Sequence, residues 1–363
     1  MRHALPGERV HAVITDGSST STFWRADAVE VLDASPDRVE PPCPWAGPGR
    51  CGGCDFQHVA PAAQRALKAA VVREQLERLG GIERDVEVEE VPGAPGGLGW
   101  RTRMQYAVDA AGRAGLRRHR SSEVVPVDWC RIAHPLVVGT GVSGLRWPGV
   151  SSVQVSAALD PPTALVLPDG RGPGALTEVV RDRSFRVTGG GFWQVHPGAP
   201  AALLDAVLDG LDPQPGESAL DLYAGVGLFA AFLAGRVGRS GRVTAVESDR
   251  VAVEDARHNL AGLSAVRVER GRVDHVLRRP HLRRADLVVL DPPRSGAGRA
   301  VVSLLSRVQA RRIAYVACDP AALARDLRWF GERGYGLTTL RALDMFPMTA
   351  HVECVAVLEP ARA

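Results

Sequence analysis

The second half of the chain alternates short apolar runs with longer amphipathic stretches, which is the pattern of strands joined by helices. From residue 189 onward the apolar runs predict strands at 218–222, 242–247, 265–269, 286–290, 313–317, 335–343 and 351–358. Helical patterns lie between them, at 199–211, up to about 234, 251–260 and 321–333. Because parallel strands need long crossover connections, this alternation predicts an α/β fold with a parallel, doubly wound sheet.

The first half shows shorter runs, broken by glycine and proline. Strands are predicted at 8–15, 24–32, 101–109, 123–127, 150–158, 163–167 and 184–188, and one amphipathic helix at 61–80. Two strands make a poor sheet alone, so the first segment either packs on the next domain or is a fragment of a small barrel. We therefore divide the chain into a partial β segment (1–42), a β-rich central domain that begins with a cysteine loop (43–188) and an α/β domain (189–363).

Composition is that of a globular protein, with 45% hydrophobic residues, 23% charged residues and a net charge of +3. The longest apolar runs are too short to span a membrane, and the first residues lack the apolar stretch of a signal peptide. We therefore expect a cytoplasmic protein with no membrane partner and no obligate protein partner. Of the 44 basic residues only Lys68 is a lysine, a bias typical of GC-rich genomes, so arginine content alone is weak evidence of phosphate binding.

Three of the six cysteines lie close together in the proline- and glycine-rich loop that follows residue 40, at Cys43, Cys51 and Cys54. In a cytosolic chain such clustering indicates a metal site rather than disulfides. Cys51 and Cys54 have the spacing that lets two thiolates face one centre, and Cys130 is a candidate fourth ligand. Four cysteines suit either zinc or an iron–sulfur cluster, and spacing alone does not choose between them. The alternative is a set of incidental free thiols.

A glycine-rich turn and an acid follow the first two strands of the α/β half. Gly225 and Gly227 come after strand 218–222, where glycine lets the backbone approach a bound ligand closely. Glu247 ends the next strand, where an acid can accept hydrogen bonds from ribose hydroxyls. The two features predict a cofactor of the adenosine type, either NAD(H) or S-adenosylmethionine.

Two further strand ends carry candidates for catalysis. Strand 286–290 is followed by Asp291-Pro-Pro-Arg294, and strand 313–317 is followed by Cys318. Ligands bind outside the carboxyl ends of such strands, so a thiol there is placed to attack a bound molecule. The alternative is a core thiol, since free cysteine is among the most buried residue types. The Asp-Pro-Pro sequence resembles motif IV of S-adenosylmethionine methyltransferases, and Arg294 replaces the aromatic residue of the enzymes that act on exocyclic amines.

Together the motifs resemble the uracil-C5 RNA methyltransferase family, specifically its iron–sulfur branch acting on 23S ribosomal RNA. The resemblance covers nearly the whole chain through Phe192-Trp-Gln194-Val, Asp221-Leu-Tyr223-Ala-Gly225-Val-Gly227, Glu247, Asp291-Pro-Pro-Arg294, Tyr315-Val-Ala-Cys318-Asp-Pro and Phe346-Pro-Met-Thr-Ala-His351-Val-Glu353-Cys. It implies a Rossmann-like class I methyltransferase domain at the C-terminus. Because the similarity begins only near Leu5, it also implies that residues 1–42 form a partial TRAM module, of the OB-like kind.

The resemblance implies a role for each motif. Cys318 would add to C6 of uracil, which makes C5 nucleophilic, and Glu353 would then remove the C5 proton. The implied contacts of S-adenosylmethionine are Gln194, Tyr223, Gly225, Gly227, Glu247 and Asp291. The implied ligands of a [4Fe–4S] cluster, with zinc as the less favoured occupant, are Cys43, Cys51, Cys54 and Cys130. Alternation along the last strand places Cys354 on the opposite face from Glu353, in the core.

The resemblance also implies an RNA partner, whose target base must be flipped out to reach Cys318. A basic group in the central domain would hold the RNA backbone, and the alternative is an ordinary solvated face. Its members are Arg101, Arg103, Arg113, Arg117, Arg118, His119 and Arg120.

Two positions depart from the family pattern, and three other functions stay open. His196 stands where the family often has asparagine, as either a structural residue or an RNA contact. Arg272 stands where an acid commonly meets the adenine amine, which leaves the adenine to backbone groups. The other functions are a transfer-RNA uridine-C5 methyltransferase, a class I methyltransferase acting on a protein or small molecule, and a non-catalytic RNA-binding relative.

Overall fold

A computed structural model describes residues 1–361 of the protein. The chain begins with a two-stranded antiparallel sheet of β1 (Arg9–Asp16) and β2 (Arg25–Asp33). Most of β1 is exposed, and the segment is held to the next one by a backbone bridge between Arg38 and Val59. The two predicted strands are confirmed, and this small sheet packs on the following segment rather than standing free.

An irregular loop leads to α1 (Pro61–Gln75), which continues as one wider turn (Leu76–Gly80) and is followed by β3 (Val88–Glu90). A five-stranded antiparallel sheet comes next, in the spatial order β6-β5-β4-β7-β8. Its elements are β4 (Arg103–Val108), β5 (Ala114–Arg117), β6 (Val124–Pro126), a short helix α2 (Pro135–Val138), β7 (Ser152–Leu159) and β8 (Pro162–Pro168). A hairpin of β9 (Ala175–Val180) and β10 (Arg183–Thr188) completes the central region.

The rest of the described chain forms the α/β half. Its elements are α3 (Ala199–Leu211), β11 (Ser218–Leu222), α4 (Leu228–Val237), β12 (Arg242–Glu247), α5 (Arg250–Asn259), β13 (Val266–Arg270), α6 (Val273–Val276), β14 (Leu287–Leu290), α7 (Gly298–Leu305), β15 (Arg312–Ala317), α8 (Pro320–Gly331), β16 (Tyr335–Asp344) and β17 (Glu353–Pro360). The strand order is β13-β12-β11-β14-β15-β17-β16-β3.

The α/β prediction is confirmed, but the sheet is mixed rather than wholly parallel. Strands β11 to β15 run parallel, whereas β17 is antiparallel to both β15 and β16. The segment that joins β16 to β17 is too short for the crossover that a parallel pair requires, so these strands form a hairpin. Alternating side chains of the sheet feed two apolar clusters, one on each face.

Two elements from the range 43–188 pack on this C-terminal sheet. Strand β3 pairs in parallel with β16, and α1 buries Ala69 and Val72 in the same apolar cluster as Phe330. Packing there buries the apolar side chains of α1 and β3 in the large cluster of the C-terminal sheet, which removes their apolar surface from water. The boundaries of the three predicted units stay a prediction. Within residues 1–361 no helix is long and apolar enough to cross a membrane.

Candidate active site

The end of β15 meets the beginning of β17 at the carboxyl edge of the sheet. These antiparallel strands pair Ala317 with Cys354, and the register continued by one residue sets Cys318 opposite Glu353. On its other side Glu353 pairs with Leu343 of β16. Cys354 is fully buried on the opposite face, as predicted. Strand pairing therefore brings the predicted nucleophile and the predicted base together.

Asp291 joins this pair from the neighbouring strand. Leu290, the last residue of β14, pairs with Tyr315 of β15, so Asp291 emerges beside the end of β15. Burial raises the pKa of Asp291 to about 7. Burial and then the charge of Asp291 raise the pKa of Glu353 well above its usual range, whereas Arg294 opposes the increase. Two buried carboxyl groups whose charges repel one another favour sharing one proton, which makes one of them an acid and the other a base.

The Cys318 thiol is half-buried beside these carboxyl groups. Burial, together with the charges of Glu353 and Asp291, raises its pKa to about 11, against the opposing effect of Arg294. A guanidinium nitrogen of Arg294 lies 3.5 Å from Nε2 of His351. At neutral pH the thiol therefore keeps its proton until a nearby group accepts it, and Arg294 is the cation that favours the thiolate.

Asp326, a fully buried residue of α8, holds the loop that follows Arg294 in place. Its carboxylate accepts hydrogen bonds from the Tyr315 hydroxyl at 2.8 Å and from the backbone N–H of Ala297 and of Gly298, at 2.8 and 3.1 Å. Asp326 was not predicted as a site residue, because an acid on an amphipathic helix has the pattern of a surface residue.

Tyr223, directly after β11, and Glu247 lie on the wall of a cavity of about 470 Å³, and the glycine turn follows Tyr223. One carboxylate oxygen of Glu247 accepts from the N–H of Gly225 at 3.0 Å, and the other accepts from the N–H of Ser248 and Asp249. Gly227 has φ +94°, and a Cβ there would lie 2.8 Å from Leu260, so only glycine fits this position. These bonds fix the turn and Glu247 relative to one another.

Tyr223 and Glu247 line the cavity as predicted, together with Arg272 and Asp274. Asp274 was not predicted as a site residue. It pairs with Arg272, with Nε and Oδ1 3.1 Å apart. The cavity therefore contains an acid, although Arg272 occupies the position where the family commonly has one. The position of Asp274, two residues after Arg272, was the available signal. Gln194 lies half-buried on the loop before α3, outside the lining of this cavity.

His196, one of the two departures, is fully buried. Its Nδ1 accepts the backbone N–H of Gly198 at 3.1 Å, and its ring stacks on Trp100 with centroids 5.8 Å apart. Burial lowers its pKa to about 4, so the ring is neutral. The structural alternative therefore holds, since a ring closed off from solvent does not contact RNA directly.

Comparison with other proteins gives these motifs a family. The model of tRNA (uracil-5-)-methyltransferases matches residues 279–361, and that of the methyltransferase small domain matches residues 201–313. An RNA methyltransferase of Streptomyces coelicolor is 52% identical over 99% of this chain and 87% of its own. A 23S rRNA (uracil(1939)-C(5))-methyltransferase of Alkalilimnicola ehrlichii is 34% identical over 98% of this chain and 90% of its own. The chain belongs to the RNA uracil-C5 methyltransferase family.

A solved structure supports the fold of this uracil-C5 methyltransferase. The Pyrococcus abyssi tRNA (uracil-54, C5)-methyltransferase, in complex with S-adenosyl-L-homocysteine, superposes with a TM-score of 0.73. It is 23% identical and covers 98% of this chain and 93% of its own. The class I methyltransferase fold is thereby confirmed. Membership of the family makes this protein an S-adenosylmethionine-dependent enzyme.

The methyltransferase carries four cysteines around a second cavity, of about 240 Å³, between the loop after residue 42 and the five-stranded sheet. Its lining includes Cys43, Cys51, Cys54 and Cys130 with apolar and aromatic side chains. Burial raises the pKa of Cys51 and Cys54, and raises that of Cys130 to about 11. Buried thiols without a bound cation thus stay protonated.

The cysteine loop docks on β5 of this enzyme through its backbone. The N–H of Gly52 donates to Arg117 at 3.0 Å, and Cys51 forms a backbone bridge with Arg118. A Cβ on Gly52 would lie 2.4 Å from the backbone nitrogen of His119, so glycine permits the close approach. Among residues 1–361 no three His, Cys, Asp or Glu side chains are gathered closely enough to hold a metal ion.

The predicted basic group divides in two. Arg103 is buried against Glu178, with Nη2 and Oε1 2.7 Å apart, so it belongs to the interior and its prediction as a backbone contact is wrong. Arg113 pairs with Asp109. By contrast, a groove of about 430 Å³ beside the cysteine loop is lined by Arg117, Arg118, His119 and Arg120.

Proposed function

We propose that this enzyme methylates C5 of a uridine in RNA through a covalent adduct between Cys318 and C6 of the base. The observation that carries the proposal is the strand register that sets Cys318 opposite Glu353, with Asp291 beside both. A methyltransferase acting on a protein, a small molecule or an exocyclic amine has no use for this thiol and carboxyl pair.

The proton balance follows from the same groups. The Cys318 thiol loses its proton to the ionised member of the carboxyl pair, which passes it to solvent, and the thiolate adds to C6 of the uracil, which turns the ring into an enolate with a nucleophilic C5. S-adenosylmethionine supplies the methyl group that C5 takes up. Glu353 then removes the C5 proton, and the C6–S bond breaks to release the methylated base and the thiolate. Arg294 stabilises the thiolate at the beginning and at the end.

The cavity beside the glycine turn has the chemistry of an S-adenosylmethionine site. Glu247 would accept from ribose hydroxyls, Asp274 would accept from the adenine amine, and Tyr223 would pack on the cofactor. Gly225, Gly227, Asp291 and Gln194 do not line this cavity, and their contacts with the cofactor stay predictions. Because Arg272 stands where an acid is common, the sequence had left the adenine to backbone groups. In this proposal Asp274 supplies the acid instead.

We infer that Cys43, Cys51, Cys54 and Cys130 hold a [4Fe–4S] cluster. Each cysteine of such a cluster binds a different iron, so its four sulfurs lie further apart than around one zinc ion. The four cysteines line one cavity of about 240 Å³, which leaves room for a cluster larger than a single ion. The cluster would keep the thiols deprotonated and fasten the loop to β5, so its role is to order this face of the enzyme.

We further propose that the substrate is 23S ribosomal RNA in the cytoplasm. The Alkalilimnicola ehrlichii relative, which is 34% identical to this chain, is named as a 23S rRNA methyltransferase. The basic groove beside the cysteine loop supplies the charge that an RNA backbone requires. A transfer RNA is the second candidate, and in vitro methylation of both RNAs by the same preparation separates the two.

The test of the reaction uses RNA that contains 5-fluorouracil, since fluorine at C5 cannot leave as a proton and traps the adduct. With labelled S-adenosylmethionine we expect a labelled protein–RNA adduct that survives denaturing electrophoresis. Cys318→Ala is expected to abolish it, whereas Cys354→Ala, which removes a core thiol, is expected to keep it. An adduct that persists in Cys318→Ala, or that the unmodified enzyme does not form, overturns the mechanism.

A further inference from the structure

Lys68 is an exception to the composition of the chain, because every other basic residue of the 44 is an arginine. An ammonium is compact and donates three hydrogen bonds in any direction, whereas a guanidinium is planar and larger. The position of Lys68 in the fold agrees with that distinction.

The Lys68 side chain is fully buried and reaches the end of β16. Its Nζ donates to the Asp344 carboxylate at 2.6 Å and to the backbone carbonyl of Phe346 at 3.0 Å. Asp344 directly follows Leu343, the β16 residue that pairs with Glu353. The Lys68 ammonium therefore fixes the backbone next to Leu343, the residue that pairs with Glu353.

Gln64 lies one turn before Lys68 on the same face of α1 and forms a hydrogen bond with Met348, two residues after Phe346. Its side-chain oxygen accepts the N–H of Met348 at 2.8 Å, and its nitrogen donates to the carbonyl of Val59 at 2.8 Å. The backbone of Met348 has φ +67°, a strained value for a residue that is not glycine. Such strain persists only where surrounding bonds impose it, as Gln64 does here.

The segment held in this way, residues 344–351, leads directly into the active site. Phe346 packs edge-on against His351 with ring centroids 6.0 Å apart, and His351 lies beside Arg294. Two residues later Glu353 begins β17. A displacement of the segment therefore moves the carboxyl group of Glu353 relative to Cys318, whose own position is set by β15.

We propose that Lys68 and Gln64 are positioning residues for Glu353. From α1, a helix outside the α/β half in sequence, they hold the segment between β16 and β17 so that the Glu353 carboxylate reaches the C5 proton. The proposal rests on the proposed function, because it concerns the proton-removal step of that reaction. Neither Cys318 nor Asp291 is attached to the segment, and Asp291, after β14, can accept the thiol proton, so adduct formation needs neither Lys68 nor Gln64.

The experiment measures two rates with RNA containing ordinary uridine and labelled S-adenosylmethionine: the appearance of the covalent complex and its decay. The variants are the charge-free pair Lys68→Met/Asp344→Asn and, separately, Gln64→Leu. We expect the decay to slow by about 10- to 100-fold, the scale of a catalytic group misplaced by about 1 Å, while formation changes by less than about threefold. The complex then accumulates, as it would in Glu353→Gln.

Arg65→Met is the matched control, since Arg65 lies on the same helix but pairs with the exposed Glu90, Nη1 to Oε2 at 3.2 Å. It is expected to leave both rates at the parent values. Equal losses of formation and decay in Lys68→Met/Asp344→Asn, or unchanged decay, overturn the proposal, because a purely structural role affects both steps alike. If that pair does not fold, Gln64→Leu decides by the same two rates. Failure of the parent to trap fluorinated RNA instead refutes the proposed function.

Discussion

Cys318 and Cys54 show how one kind of side chain acquires two environments. Burial raises the pKa of both thiols. Cys318 stands at the end of β15 among Arg294, Glu353 and Asp291, whereas the neighbours that influence Cys54 are Gln57 and three other cysteines. The first thiol can be deprotonated by the carboxyl groups beside it. The second needs a bound cation, because no base stands among those neighbours.

The two regions also differ in what holds them. Backbone pairing of β14, β15 and β17 builds the catalytic edge without any ligand. The cysteine loop has no strand or helix of its own and depends on its contacts with β5 and with residues 344–351, such as the N–H of Asp55 on the carbonyl of Met348 at 2.9 Å. A sheet can therefore position a reactive pair by itself, whereas a loop rich in glycine and proline needs a bound group to fix its thiols.

The largest expected effect concerns the base at the catalytic edge. Glu353→Gln removes the group that takes the C5 proton, so release of the methylated RNA should slow by about 10²- to 10⁴-fold. The covalent complex with ordinary uridine RNA is then expected to accumulate on denaturing gels. Rapid turnover by Glu353→Gln would show that another group removes the proton and would break the assignment of this edge.

Removal of one loop cysteine should separate the two regions. In Cys54→Ser purified without oxygen we expect the bound iron and sulfide, and the visible absorption, to fall to a small fraction of the parent value, since metal binding and loop order are coupled. Cys318→Ser is the matched control and is expected to keep its full iron content. Zinc in place of iron in the parent, measured by metal analysis, would contradict the cluster.

The pH dependence of Cys318 tests its charged surroundings. Its folded-state pKa of about 11 lies above the ordinary value, so the reactive thiolate fraction should rise about tenfold per pH unit from pH 7 toward pH 10. Alkylation by iodoacetamide, read by mass spectrometry at this cysteine, measures that fraction.

Arg294→Met removes the cation beside the thiol and should slow the alkylation at fixed pH by about threefold to tenfold, since it raises the pKa. Arg9→Met, on the exposed strand β1, is the control and should leave the rate unchanged. A rate that levels off above about pH 9 would show a thiol with the ordinary pKa of cysteine and would contradict the effect of these surroundings.

The smallest effect is expected at the basic groove next to the cysteine loop. Arg117→Gln and Arg120→Gln should each weaken RNA binding a few-fold and reduce the salt slope of the affinity by about one. Filter binding at several salt concentrations gives both quantities. An unchanged slope would mean that the groove does not contact phosphate and that the arginine content reflects composition alone.

The sequence predicted most of the α/β half because its strands are buried, continuous apolar runs. The bounds predicted for β11 and β12 are those observed. The elements that were missed are short or atypical: β3, α2 and α6 have three or four residues, β5 has the sequence Ala-Gly-Leu-Arg, and α7 begins at a glycine that follows a turn. Strand β9 was missed as well. The antiparallel direction of β17 was also missed, since a hydrophobic pattern does not record the direction of a strand.

The site was predicted in its chemistry more than in its geometry. Cys318, Glu353 and Asp291 were identified from motifs, and the structure brings them to one edge. Asp274 and Asp326 were not identified, because an acid in a loop or on a helix is an ordinary surface residue until its contacts are known. Arg103 was assigned to RNA because the sequence does not show Glu178, 75 positions away, beside it.

The sequence by itself determined which residues carry reactive groups and which local segments become strands or helices, because hydrophobic period and motif spacing act over short distances. Only the tertiary structure decided which strand ends meet. Cys318 faces Glu353 because of an antiparallel register between β15 and β17, and Lys68 meets Asp344 across 276 positions. Such contacts depend on how distant elements pack together, and that packing is a property of the whole core rather than of any one segment.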